Sequence, residues 1–306
     1  MTSLLSVTDL SRSPSLEEVS FTVERGEVVC VVGPPGNGGT TLMECLVGAA
    51  EPDAGHVEML GVTVGPGDRR PPGLAAALRG ESVPERMKVG EALRLFSRLY
   101  GTRGLPRRMV DLLDLEPLLS RRFARLTDGQ RRRAMLGLAL VGNPELVLLD
   151  DPAAGLREGS RGRIEQAIGE LRAGYGGVCV VLSDLAQAER LADRVVLLRA
   201  GRVLAEGTPS RLVRLLGSTY VMGVPPHLRV DRLQGVRVLP CGAATYLYGS
   251  REALENAIQE LSPMSGDRVW SIRPPTLRDA YLTLSAVPEP AALEGVTEPA
   301  ALEASA

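Results

Sequence analysis

Lysine is nearly missing from this chain. Lys88 is the only one in 306 residues, although Lys and Arg together number 35, so arginine carries almost all the positive charge. Only two histidines occur, His56 and His227, which leaves a His-based zinc site or a Ser-His-Asp triad poorly supported. Aromatic residues make up 3%, too few for base-stacking platforms. The net charge is -2, so the chain as a whole presents no field that would gather nucleic acid. Cys30, Cys45, Cys179 and Cys241 are scattered without a C-x-x-C. Three of them sit among apolar neighbours and read as small core residues in a reducing compartment, not as a disulfide frame or metal site. No apolar run approaches the ~18 residues of a membrane helix. The opening MTSLLSVTDLSRS lacks the charged and apolar regions of a signal peptide. These absences predict a soluble, cytoplasmic chain that serves a membrane, if at all, by docking on one.

Hydrophobic residues make up 44%, enough for a buried core, and the length suits one large domain or two smaller ones. Short β-rich runs, 19-VSFTV-23 and 27-EVVCVV-32, come first. A glycine-rich loop and a helix from about Thr40 follow, then a strand at 56-HVEML-60 and a turn-rich stretch over 62–73. Val89, Ala92, Leu93, Leu95, Phe96 and Leu99 repeat at helical spacing. The runs 145-ELVLLDD-151 and 178-VCVVLS-183 are continuously apolar before their polar ends, as strands buried on both faces of a parallel sheet are. Between them Ile164, Ile168 and Leu171 share a helical face; after them come a helix over 185–194 and a strand at 195–198. Alternating strands and helices predict an α/β core with a largely parallel sheet. After about Leu216 the texture changes to strands at 235–240, 244–249 and 268–273 around a helix bearing Leu254, Ile258 and Leu261. The end repeats EPAALE and carries four glutamates and no basic residue over 287–306, which predicts a disordered, solvated tail.

Three stretches carry chemistry. In 33-GPPGNGGTTL-42 the glycines Gly33, Gly36 and Gly38 let backbone approach a phosphate, and the following helix offers free N–H groups to an anion. Thr40 sits where a hydroxyl would meet Mg²⁺, but the lysine of G-x-x-x-x-G-K-[ST] is Gly39. The bland account is a glycine-rich turn without a ligand. In 149-LDDP-152 two acids end a buried strand; one could hold magnesium through water and the other orient an attacking water, or both could simply cap a turn. In 126-LTDGQRRR-133 a polar loop opens a helix whose N–H groups could face a γ-phosphate, or it is a plain capped helix with a solvated arginine face.

Each is weak alone; their order and spacing together resemble the nucleotide-binding subunit of ABC transporters over roughly residues 4–216. The matching pieces are 33-GPPGNGGTTL-42 as Walker A, 126-LTDGQRRR-133 as the signature and 144-PELVLLDDPAAGL-156 as Walker B with its D-loop, and 188-AERLADRVVLLRAGRVLAEGTP-209 is very like the family. The segment 275-PTLRDAYLTLS-285 more loosely resembles the C-terminal extension of drug- and polysaccharide-type exporter ATPases. The resemblance implies an α/β P-loop NTPase-type core with an antiparallel β subdomain and a helical subdomain over 1–216, a small α+β appendage over 217–285 and an acidic tail over 286–306. It implies ATP held by Gly33, Gly36, Gly38, Gly39, Thr40 and Thr41, with Thr127, Asp128, Gly129 and Gln130 facing a partner's ATP, and Mg²⁺ on Thr40 and Asp150. Asp151 and Ser183 stand at the catalytic positions. The implied partners are a membrane permease and a second ATPase subunit, identical or different, at the cytoplasmic face of the membrane, with no nucleic acid.

Most catalytic positions depart from the family pattern. Besides Gly39, the acid after Asp150 is Asp151 instead of glutamate, and the switch histidine falls on Ser183. No glutamine precedes Gln130, and Arg79 sits about where the family's glutamine loop would fall. The D-loop aspartate is Arg157, Pro35 replaces the usual asparagine, and no aromatic lies near 11-SRSPS-15 to stack on adenine. Asp128 stands where the signature usually has glycine. The sequence therefore predicts a degenerate subunit whose own site binds ATP and Mg²⁺ weakly or not at all and is impaired or inactive in ATP hydrolysis. The alternatives are a competent ATPase in which Arg79 or Arg157 supplies the charge, and a soluble non-transport scaffold.

Overall fold

The computed structural model describes residues 3–80, 83–102, 107–174, 176–242, 244–265 and 270–286. The chain divides into two compact units, Met1–Ala205 and Glu206–Ala306. The tail predicted over 286–306 lies, from residue 287 on, outside the described residues.

At the centre of the first unit is a six-stranded sheet with the strand order β10-β9-β3-β8-β7-β6. These strands are β3 (Val28–Val32), β6 (Leu74–Ala77), β7 (Leu146–Asp150), β8 (Gly177–Leu182), β9 (Arg194–Arg199) and β10 (Arg202–Gly207). Every residue of β3, β7 and β8 is buried, which is why their sequences read as unbroken apolar runs. β3 runs parallel to β8 and β9, and β7 runs parallel to β8 and β6. Val32 pairs with Leu182, and Asp150 with Val181. The residues following β3, β7 and β8 therefore emerge along one carboxyl edge of the sheet, where ligands of parallel α/β sheets bind. Ala200 and Gly201, both left-handed (φ 48° and 82°), turn β9 into β10, as a two-residue hairpin requires.

A second, antiparallel sheet has the order β2-β1-β4-β5, with β1 (Ser3–Arg12), β2 (Leu16–Glu24), β4 (Ala54–Met59) and β5 (Val62–Val64). The sequence signal missed β1 because its register shifts between Val7 and Leu10, where Asp9 takes φ 49°. A bulge of this kind breaks the alternation that marks a strand. Helix α1 (Gly39–Val47) buries Leu42, Met43 and Leu46 in one cluster with Leu5, Val29, Val31, Met59 and Leu148, so the core joins both sheets through the helix behind the glycine loop.

The helices α2 (Val89–Leu99), α3 (Arg107–Leu112) and α4 (Asp128–Leu140) form the helical part of this unit. Gly137 of α4 admits Leu115, whose Cδ1 would lie 2.7 Å from a Cβ there. Helix α5 (Glu158–Ala173) buries Ile164 and Ile168. Helix α6 (Leu185–Leu191) is capped by Asp184, whose carboxylate accepts from the N–H groups of Ala186 and Gln187. The helix expected over 185–194 stops at Leu191, because Arg194 joins β9, pairs with Val29 and forks onto Glu27 at 2.8 and 2.9 Å.

In the second unit a four-stranded antiparallel sheet runs β12-β13-β11-β14, from β11 (Tyr220–Val224), β12 (Val236–Cys241), β13 (Ala244–Gly249) and β14 (Ile272–Arg273). Of the strand expected over 268–273, residues 268 and 269 lie outside the described residues. Helix α8 (Arg251–Ser265) packs Leu254, Ala257 and Leu261 on Met222, Val224 and Leu247. Val221 and Tyr248 instead meet Leu216 and Ala280, residues beside α7 (Pro209–Arg214) and within α9 (Leu277–Ala286).

Asp279 of α9 is 1% exposed. It accepts from both Nη atoms of Arg273 (2.7 and 3.0 Å), the Thr276 N–H (2.7 Å) and the Thr276 hydroxyl (2.8 Å). Burial works to raise its pKa, but the hydrogen bonds from Arg273 and Thr276 outweigh it and hold the carboxyl below its ordinary value. A lowered folded pKa contributes stability that is complete above the ordinary carboxylate range and disappears as pH falls through the folded value. Asp279→Asn is therefore expected to remove about 1.5–3 kcal/mol at neutral pH, the usual worth of bonds to a charged group. The gap from the unmodified chain should narrow in acid. Thermal melts at neutral pH and at about pH 3 test this.

Candidate functional site

The chain leaves β3 at Val32 and turns through 33–38 into α1. Gly36 and Gly38 take φ 85° and 97°, conformations that side chains rarely adopt. Gly38 has no space either: a Cβ there would lie 2.3 Å from the Ser15 carbonyl oxygen. Helix α1 begins at Gly39 with an N-cap glycine that has no side chain to cap it, so the dipoles of its first turn point out of the helix, the arrangement that favours an anion.

Gly39 is buried between neighbours that leave nothing for a side chain. A Cβ at this position would come 2.6 Å from Val181 Cγ1 and 3.3 Å from Asn37 Oδ1. Asn37 Oδ1 accepts the Gly39 N–H at 3.0 Å, while the Asn37 Nδ2 is buried without a partner among the described residues.

At the end of β7, Asp150 and Asp151 are both buried, and Asp151 takes φ 43°, a left-handed conformation tolerated best by Asp and Asn outside glycine. Its Oδ2 accepts from Arg79 Nη2 at 2.5 Å and from the Ser183 hydroxyl at 2.7 Å. The Asp151 N–H donates to Val181 O at 2.8 Å, and its carbonyl accepts from Arg132 Nη1 at 2.8 Å. Arg79 also reaches Asp150, through a hydrogen bond from its backbone. Burial pushes the Asp150 carboxyl up from its ordinary value; the Arg79 guanidinium opposes this and the Asp151 charge adds to it.

These groups share one cavity of about 250 Å³. It brings together Gly33, Gly36, Gly38, Gly39, Thr40, Thr41, Asp150, Asp151 and Ser183, all expected from the sequence. Arg79, Asn37 and Val181 line it as well. Arg157 is not among the lining residues; it is the N-cap of α5.

The second expected group lies elsewhere. Thr127 caps α4 and accepts from the Gln130 N–H at 3.4 Å, while Gln130 Oε1 accepts the Thr127 N–H at 3.1 Å. This reciprocal capping box uses both side chains within the helix start. Asp128 is exposed in the first turn, where a carboxylate already complements the helix dipole. Gly129 allows close packing, since a Cβ there would meet Ser160 Oγ at 3.0 Å. Asp128 lines a neighbouring cavity of about 500 Å³ with Arg79, Arg131, Arg132 and Asp150.

Residues 16–154 match the family model described as ABC transporter. The chain is 31% identical over 280 residues to the Nod factor export ATP-binding protein I of Rhizobium etli, covering 87% of each chain. It is 33% identical over 228 residues to the doxorubicin resistance ATP-binding protein DrrA of Mycobacterium tuberculosis, covering 70% of this chain and 67% of that one. Among solved structures, it resembles an ATP-binding subunit of an ABC transporter at 30% identity with a TM-score of 0.63, over 70% of this chain and 93% of that one.

Proposed function

The chain belongs to the ABC transporter family of ATP-binding subunits, and from that premise we propose that it is a degenerate member whose own site does not hydrolyse ATP. The observation that carries this reading is position 39. The loop lacks the cation that would grip a triphosphate, and Val181 fills the space where its side chain would begin. One charge-assisted contact is worth about 1.5–3 kcal/mol, or ten- to a hundredfold in affinity.

The family binds ATP together with Mg²⁺. The loop fits a phosphate, because the left-handed glycines and the uncapped start of α1 direct backbone dipoles at an anion. The acids do not fit the ion in the same way. Asp151, at the position expected to orient water, has Oδ2 engaged by a guanidinium and a hydroxyl. Ser183, at the position of the switch histidine, spends its proton on that acid.

In this reading residues 1–216 form the nucleotide-binding domain, and 217–285 an accessory domain. The chain docks on a permease at the cytoplasmic membrane face and pairs with a second ATPase subunit, which supplies the working ATP site. The two relatives described above, an export protein and a drug-resistance protein, favour export. Among the described residues no helix is long and apolar enough to cross a membrane, which suits peripheral attachment.

Purified chain is expected to release phosphate from MgATP only at the background rate, and Asp151→Ala should leave that rate unchanged. Magnesium-dependent turnover that Asp151→Ala abolishes would sink the reading. It would favour a competent ATPase, for which the specific support is that Arg79 lines the loop cavity and brings a positive charge to it.

A further inference from the structure

The parallel register of β6 and β7 pairs Ala77 with Leu149. Two residues further along, Arg79 therefore arrives beside Asp151. Its guanidinium reaches one acid at 2.5 Å, and its backbone hydrogen-bonds the other. Asp151 is 4% exposed at its side chain, whereas Arg79 is 48% exposed. The acid is thus committed to the protein interior with its cation supplied from the rim. Arg79 and Asp150 also line the neighbouring cavity, so the guanidinium stands at the mouth between both spaces. A divalent ion seated near Thr40 and Asp150 would meet a fixed positive charge and an acid already neutralised.

We propose that Arg79 is a tethered cation that takes the electrostatic place of the metal ion in this site, leaving it closed to divalent metal. The inference rests on reading the loop and the two acids as a nucleotide site. It goes beyond that reading by assigning a role to Arg79 and by predicting that the site is blind to metal. The guanidinium already pairs with the buried Asp151 and lines, with both acids, a cavity of about 250 Å³, so displacing it would require both uncovering a buried carboxylate and bringing a second cation against the first.

The test uses the full chain and Mn²⁺ as the probe, with bound ion counted by electron paramagnetic resonance and stability read by thermal melts. The unmodified chain is expected to take up no stoichiometric Mn²⁺ and to melt at the same temperature with or without it. Arg79→Gln leaves Asp151 uncompensated; it should melt lower, bind one Mn²⁺ on the order of tenfold or more tightly than the unmodified chain, and recover stability when the ion is added. In Arg79→Gln/Asp151→Asn the acid is gone, and both the melting defect and the metal response should largely disappear. Arg79→Lys keeps a charge and should remain indifferent to metal; it serves if Arg79→Gln does not fold. One Mn²⁺ bound by the unmodified chain and lost in Asp150→Asn would overturn the proposal, as would metal indifference in a folded Arg79→Gln. Either result without ATP turnover leaves the hydrolysis-deficient reading standing. Turnover that persists in excess chelator sinks that reading alone.

Discussion

Gly39→Lys is expected to fail as a repair of the loop. A Cβ at 39 would lie 2.6 Å from Val181 Cγ1, well inside contact distance. Val181 cannot easily swing away. It is a β-branched residue with a stiff χ1, it is buried on β8, and its carbonyl is held by the Asp151 N–H at 2.8 Å. Forcing a side chain into such a site typically costs about 1–3 kcal/mol. The single variant should therefore melt lower and gain little nucleotide affinity, because its ammonium cannot settle over the loop. Val181→Ala removes the atom in the way. The double variant Gly39→Lys/Val181→Ala should recover most of the lost stability relative to Gly39→Lys and bind ATP about ten- to a hundredfold more tightly than the unmodified chain, the worth of one charge-assisted contact. Calorimetric titration with ATP, with and without magnesium, separates the two variants. If Gly39→Lys alone keeps its melting temperature and binds ATP tightly, Val181 is not the obstacle and the loop is merely missing a charge.

The sequence could not reveal this pairing, because Gly39 and Val181 belong to elements that meet only through the register of β3 and β8. The same reason hid the ion pair of Arg79 with Asp151, although Arg79 itself stood out at the family's glutamine-loop position. Read locally, 75-AAALRGE-81 is a small-residue stretch with one arginine; β6 lies at the sheet's edge, and its four residues give too short a signal. Only the pairing of Ala77 with Leu149 shows where Arg79 falls. What was legible depended on local pattern. The fully buried β3, β7 and β8 announced themselves as apolar runs. The i, i+3, i+4 spacing of α2 marked a helix. The order of glycine loop, polar helix start and paired acids identified the site's frame. Asn37 carried no signal of its own, since its role is to hold the Gly39 N–H at 3.0 Å within a turn whose glycines drew the attention.

Leu95→Asp/Leu99→Asp is expected to detach the chain from its proposed membrane partner without unfolding it. Helix α2 turns Val89, Ala92 and Leu93 into the core, and that spends its inward face. Leu99 is left 70% exposed, Leu95 45% and Tyr100 44%. Leu95 and Leu99 stand one turn apart, Phe96 packs toward Tyr100 at 6.4 Å between ring centroids, and Arg94 and Arg98 flank them as a second exposed pair. Single exposed leucines are ordinary, but apolar groups gathered on one helix face with a basic rim mark an interaction surface. In the proposed assembly the permease is the partner that would cover this face. Each leucine buried there would contribute about 1.5–3 kcal/mol. Two carboxylates in their place would lose that and add a desolvation penalty, so association should weaken by at least about tenfold per site. Exposed positions tolerate such changes, and the melting temperature should barely move, in keeping with surface substitutions of about 0.5 kcal/mol. Co-sedimentation with membranes carrying the permease measures the first effect and a thermal melt the second. Unchanged recovery with the membrane would move the docking surface off α2. A lost melt would mean that these leucines support the helical part of the unit rather than a partner.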